Sequence, residues 1–239
     1  MDDGLRRRRR RLPHWDQPGA TYFITSCLAG SIPAQGLLDI DRLRRDLAKR
    51  RPPAGMSDED WKINCWKRTF ARCDDWLDRE PAVRHLADPA LAREVVNSLY
   101  HFAGQRYELL TYVVMPSHFH WVFKPLGDAT PVRMKNGRLR MVRERIMHSV
   151  KLYTARQCNR LLERDGAFWQ DESHDHCVRD EDELERIIAY VELNPVKAGL
   201  VRESELWEFS SARDRLQGKI PLGVPLVRAT NVGQVSNLP

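Results

Sequence analysis

No stretch of this 239-residue chain is apolar for long enough to cross a membrane, and its mean hydropathy is -0.56. The expectation is a soluble protein with no membrane among its partners. Cysteine is scarce and unpatterned: five residues, Cys27, Cys65, Cys73, Cys158 and Cys177, with no Cys-x-x-Cys pair. An odd, scattered set argues against a disulfide framework or a structural zinc site and fits free thiols in a reducing cytosol. No internal repeat is visible. No apolar segment follows the arginines near the start, so that region does not read as a secretory signal.

Positive charge is in modest excess. Lys and Arg number 39 against 33 Asp and Glu, a formal net charge of +6, which suits phosphate-bearing partners. Six consecutive arginines, Arg6, Arg7, Arg8, Arg9, Arg10 and Arg11, stand ahead of Leu12-Pro13. Residues 1–13 therefore read as a basic disordered arm, either gripping DNA phosphates or simply solvated. From about Gln217 onward Pro, Gly, Val and Asn dominate without helical period, so 214–239 reads as a poorly ordered tail. The intervening 14–213 is ample for one domain with its own core.

Within that domain, alternation predicts a strand over Ala20 to Cys27. Leu38 to Arg50 has the pattern of a basic amphipathic helix closed by Arg51-Pro52-Pro53. Ser57 caps a second helix carrying Trp61, Trp66, Phe70, Trp76 and Leu77, a stripe more typical of core packing than of base stacking. A third helix is predicted over Pro89 to Phe102. Strands near Tyr107–Met115 and His118–Phe123 flank Pro116-Ser117 as a tight hairpin, and Pro125 to Gly137 reads as loop. Met141 to Leu162 is a long helix whose outward face carries Lys151 and Arg156, able to track a DNA backbone or merely solvated. A short strand near His176–Val178 leads into a last helix, capped by Asp180 and expected to stop at or before Asn194, because Pro195 disfavours helical geometry there. This β-α-β-β-α-β order followed by a helix fits an α+β fold, an antiparallel sheet with helices on one face.

Two places carry chemistry. In Val113-Val114-Met115-Pro116-Ser117-His118-Phe119-His120-Trp121, alternate side chains share a face, so His118 and His120 point one way and Phe119 the other. Two imidazoles on one face form half of a divalent-metal site; taken alone they better fit two satisfied histidines held within a strand. In the last helix Leu184, Ile187, Ile188 and Val191 make the apolar stripe, with Tyr190 and Asn194 as neighbours on its shoulder. Singly, these fit a core-edge tyrosine and a helix-terminal asparagine.

Together the motifs resemble the HUH single-strand DNA transposases, and more closely the REP-associated tyrosine transposases. The resemblance rests on residues 113–120, on Gly-Ala-Phe-Trp-Gln-Asp-Glu-Ser at 166–173, on Asp-His-Cys-Val-Arg-Asp at 175–180, and on Tyr-Val-Glu-Leu-Asn-Pro-Val-Lys-Ala-Gly-Leu-Val at 190–201. It covers roughly residues 14 to 213 and implies a ferredoxin-like or RRM-like core. The helices between 38 and 104 look like an enlarged first crossover. The resemblance further implies that His118, His120 and Asn194 bind a divalent metal, Mg2+ or Mn2+, and that Tyr190 is the nucleophile. Ser117 and His174 depart from the family's usual Asn and aromatic residue.

A tyrosine hydroxyl, with an ordinary pKa of ~10, is a poor nucleophile without help, and a bound cation supplies that help. The implied activity is cleavage and rejoining of single-stranded DNA at hairpin-forming repeats through a 5′-phosphotyrosine, in the cytoplasm at the nucleoid. Implied DNA contacts are Lys151, Arg156, Lys197 and the arginine arm, with monomer and homodimer both open. Two other readings remain: a catalytically idle hairpin-DNA-binding module on the same fold, and an unrelated metal-dependent phosphodiesterase using water.

Overall fold

The computed structural model describes residues 19–219 apart from 128, 129, 135, 136, 138 and 172. The arginine arm and the tail beyond Lys219 lie outside the described residues. Four strands build the main sheet: β1 (Tyr22–Cys27), β2 (Tyr107–Val114), β3 (His118–Pro125) and β6 (His174–Cys177). Their order is β2-β3-β1-β6 and every pairing is antiparallel. That is the split β-α-β arrangement of a ferredoxin-like core, as expected.

Every residue of β1 is buried, and so are the first six of β3. Strands without a solvent-facing row need cover on both sides. On one face lie α3 (Pro89–His101) and α4 (Val142–Leu161), packing Leu91, Val95, Leu99, Ile146 and Val150 on Ile24, Phe119, Trp121 and Phe123. The opposite face is closed by α2 (Asp58–Arg79) and α5 (Glu181–Lys197), where Trp66, Phe70, Ile187, Tyr190 and Val191 meet Phe23, Val113 and Val122. The core helices α3 and α4 lie on one face as expected, and α2 and α5 add a second layer because the inner strands are buried on both faces.

The first crossover is enlarged by α1 (Ala34–Lys49) and α2, which pair with each other. A Cβ on Gly36 would sit 2.9 Å from the Trp76 ring, so the missing side chain permits the close approach. Asp39 ties the pair by accepting from Arg72 (2.7 Å) and Trp76 Nε1 (3.1 Å). Ser57 caps α2 by accepting from Asp60 N, with three acidic residues in the first turn to suit the helix dipole. No Gly or Pro interrupts the next 22 residues.

Two local expectations are corrected. The segment 125–137 is not wholly loop: Val132–Arg133 (β4) pairs with Leu139–Arg140 (β5) in a two-stranded ribbon. The last helix does not stop at Asn194 but runs through Pro195 to Lys197. A proline this close to a C-terminus forfeits one intrahelical hydrogen bond; Ala198 N still donates to Asn194 O, and Leu200 N to Pro195 O. That extra turn has a consequence for the site.

Candidate metal and nucleophile centre

His118 and His120 lie side by side on β3 with ring centroids 4.6 Å apart, both fully buried, and Phe119 faces the other core. Each imidazole is steered from behind. Thr25 of β1, directly opposite His120 in register, places Oγ1 2.7 Å from its Nδ1. Ser117 Oγ lies 2.9 Å from His118 Nδ1 and donates its own proton to Leu77 O. Having spent that proton, the serine oxygen accepts from Nδ1–H, which leaves His118 Nε2 with a bare lone pair. The two Nε2 atoms converge at 3.1 Å. Adjacent ligand atoms on a cation bonded at ~2.1 Å lie about 3.0–3.4 Å apart, so the pair is spaced to share one.

Three oxygen groups surround that point. Asp74 of α2 brings Oδ1 to 3.4 Å from His120 Nε2, and this buried atom has no hydrogen-bond partner. Asn194 of α5 brings its amide to 3.3 Å from the same nitrogen, with Oδ1 also buried and unpartnered; a half-turn of the amide exchanges the two atoms. Asp78, one turn beyond Asp74, stands 4.0 Å from His118 Nε2 with neither oxygen hydrogen-bonded. Buried polar atoms are normally paired, so unpartnered oxygens gathered around the two imidazole Nε2 atoms suit a divalent cation. Among the described residues, Asp74, His118 and His120 form a group whose ligand atoms lie close enough together to hold a metal ion.

Lys197 completes the cluster, its ammonium 3.1 Å from Asp74 Oδ2 and 3.7 Å from Asp78 Oδ2. It reaches them because the helix continues past Pro195, which keeps residues 190, 194 and 197 on one face. Tyr190 Oη donates to Asp74 Oδ2 at 2.5 Å, and the tyrosine ring lies 5.5 Å from that of His120.

The ionisation pattern follows. Burial, helped by the neighbouring His120, pushes His118 down to about 3, so its imidazole is neutral at ordinary pH. Burial pushes the Asp78 carboxyl up to about 8, with the Asp74 charge adding to it. Burial also works against ionising Asp74, but His120 and Lys197 outweigh it and hold that carboxylate below its usual range. Burial and then Asp74 raise the Tyr190 hydroxyl well above an ordinary phenol. As arranged, Tyr190 is a protonated donor.

The role of Thr25 is testable. Thr25→Val keeps the shape and removes the hydroxyl behind His120. Mn2+ affinity measured by calorimetry is expected to fall about 10–100-fold, the usual cost of losing such a partner. An unchanged affinity would mean that the ring is oriented by packing alone.

No protein-family model matches the chain. Over 118 residues it is 26% identical to a REP-associated tyrosine transposase of Escherichia coli (strain K12), a match spanning 48% of this chain and 61% of that relative. The chain resembles the REP-associated tyrosine transposases. A solved REP-associated tyrosine transposase bound to a REP hairpin aligns over 93% of this chain and 96% of its own, at 16% identity and a TM-score of 0.48. The resemblance to REP-associated tyrosine transposases rests on less than two thirds of the curated relative's length.

The remaining sequence candidates are placed as follows. Arg156 is exposed on α4. Lys151 is turned inward, donating to Gln170 O at 2.6 Å and Ser173 Oγ at 3.2 Å, and burial pushes its ammonium down to about 8. Two of its three donors are therefore committed to the protein. His174 is buried edge-on to Phe70. No disulfide joins the five cysteines. None of the described helices is long and apolar enough to cross a membrane. A cavity of about 440 Å³ opens beside β6, lined by Trp66, His176 and Arg179 among others. The stacked Trp66 and Phe70 stand between it and Tyr190.

Asp74 and Asp78 escaped the sequence reading, which assigned the α2 stripe to core packing. The available signal was a pair of aspartates four residues apart, set among Phe70, Cys73 and Leu77 on the buried face. Acids there are out of place unless they have a partner.

Proposed function

We propose that this chain is a metal-dependent transesterase that cuts and rejoins single-stranded DNA at hairpin-forming repeats, with Tyr190 as nucleophile. The observation that carries the reading is the convergence of His118 and His120 Nε2 at 3.1 Å, with the Asn194 side-chain amide 3.3 Å from His120 Nε2 and the Tyr190 ring 5.5 Å from that of His120. The similarity to a REP-associated tyrosine transposase supports it.

His118, His120 and Asn194 would hold a divalent cation, magnesium or manganese, which supplies a Lewis acid that polarises phosphorus and neutralises developing charge. Thr25 and Ser117 orient the imidazoles. Tyr190 Oη attacks the phosphorus, the P–O3′ bond breaks, and the tyrosine proton ends on the departing 3′-oxygen. The products are a 5′-phosphotyrosine and a free 3′-hydroxyl. Because the ester retains the energy of the broken bond, the reverse attack rejoins strands without ATP. Lys197, on the same helix face as Tyr190, pairs with the phosphate charge, and exposed Arg156 is a second contact with the strand.

The test is a covalent-adduct assay. Protein is mixed with hairpin oligonucleotides taken from inverted repeats flanking the gene, with manganese, and resolved on denaturing gels. Wild type is expected to give a shifted protein–DNA band. Tyr190→Phe is expected to give none while binding the same DNA within about threefold. Metal-dependent cleavage that survives in Tyr190→Phe without an ester would identify a water-using phosphodiesterase. Tight binding with no cleavage in wild type would identify a hairpin-binding module.

A further inference from the structure

Tyr190, His118, His120 and Asn194 are each 2% exposed or less. No DNA phosphate reaches a nucleophile so enclosed. What encloses it is α2: Trp66 and Phe70 lie over Phe23 and Tyr190, while Cys73 and Leu77 pack with Cys27 and Ile32. The contact at the centre is not apolar. The Asp74 carboxylate accepts hydrogen bonds from the Tyr190 hydroxyl at 2.5 Å and the Lys197 ammonium at 3.1 Å, and lies 3.4 Å from His120 Nε2.

These partners are the ones a scissile phosphate needs: the attacking oxygen, a cation for its charge, and the edge of the ligand set. A carboxylate and a phosphate diester present the same chemistry to them, an anionic oxygen that accepts charge-assisted hydrogen bonds. We propose that Asp74 occupies the scissile-phosphate position as a built-in substrate mimic, and that the α1–α2 hairpin is a lid which single-stranded DNA displaces before Tyr190 reacts. This rests on the transesterase reading above.

The hairpin is built to move as a unit. Gly36 against Trp76 and the Asp39–Arg72 pair join its two helices. Its two ends are clasped where Ala82 N donates to Ser31 O at 2.8 Å, beside Gly30 at φ +76°. Opening at that base carries Asp74 off Tyr190 and breaks the Ser117 Oγ–Leu77 O bond, while the β1–β3 and β2–β3 pairing that carries His118 and His120 is kept. Lys197, whose side chain is 44% exposed, stays on α5 at the mouth to receive the incoming phosphate in place of Asp74.

The experiment combines hydrogen exchange with the adduct assay, on wild type and on Asp74→Ala, with Asp74→Asn as the milder variant. The probe is the hairpin oligonucleotide with single-stranded flanks, plus manganese. DNA is expected to speed exchange of the α2 amides in wild type by about tenfold or more, and Asp74→Ala to do so without DNA. The initial adduct rate is expected to rise about tenfold in Asp74→Ala, and in Asp74→Asn if Ala perturbs folding. The lid is overturned if bound DNA leaves α2 equally or better protected. It is also overturned if both variants lose adduct formation while α2 stays protected, which would make Asp74 a resident part of the centre. DNA-induced opening of α2 with no adduct in any variant would support the lid and sink the nucleophile assignment instead.

Discussion

Replacing His120 with leucine is expected to reduce adduct formation to background and to weaken Mn2+ binding more than about 100-fold, beyond the loss seen when only a ligand's outer partner is removed. His120 is the hub of the cluster: Thr25, His118, Asp74 and Asn194 all address its ring. Leucine is close in volume and suits the apolar surroundings of Phe23 and Phe70, so the fold should survive. It offers no lone pair, however, and leaves Asp74 and Asn194 facing hydrocarbon. Manganese titration followed by the electron paramagnetic resonance of the free ion reads the affinity, and the thermal midpoint controls for folding. Binding within about threefold of wild type would show that the cation sits elsewhere.

The largest stability loss is expected far from this centre, at Arg215. Its guanidinium pairs with Glu192 of α5 and donates to Leu110 O at 2.9 Å, linking the helix after Ser210 to β2 and α5. Both side chains are almost fully buried, and Glu192 also accepts from Ser211 and Thr111. Burial raises the Glu192 carboxyl even with the arginine beside it, so desolvation is only partly compensated. Arg215→Met strands that carboxylate and should cost roughly 3–5 kcal/mol in urea unfolding. Arg93 and Glu208 also form a direct pair, 2.8 Å apart, but their side chains are 59% and 62% exposed. Breaking that pair by Arg93→Ala should cost about 1 kcal/mol or less. Equal losses in the two variants would mean that burial does not govern these pairs.

Much of the fold was legible because it depends on local period. Strand alternation puts His118 and His120 on one face with Phe119 opposite, and helical period sets Tyr190 beside Asn194; the structure has both. Ser57 and Asp180 cap their helices as residue type suggests. The order of elements was enough for the antiparallel sheet and the enlarged first crossover. Pro195 misled, since a proline near a helix end is tolerated when its side chain is buried and the next carbonyls find donors.

By itself, then, the sequence determined which residue types face which way along each element, and that pattern contained the two histidines, the tyrosine and the asparagine. Only tertiary structure decided what stands against them. Asp74 lies 116 residues from Tyr190 and 123 from Lys197, on a helix whose stripe looks like ordinary core. Its meeting with them depends on α2 closing over the second face of the sheet. That face had to be covered because its Phe23, Val113 and Val122 are apolar and the strands are buried on both sides, and backbone periodicity reports a residue's direction but never its distant partner.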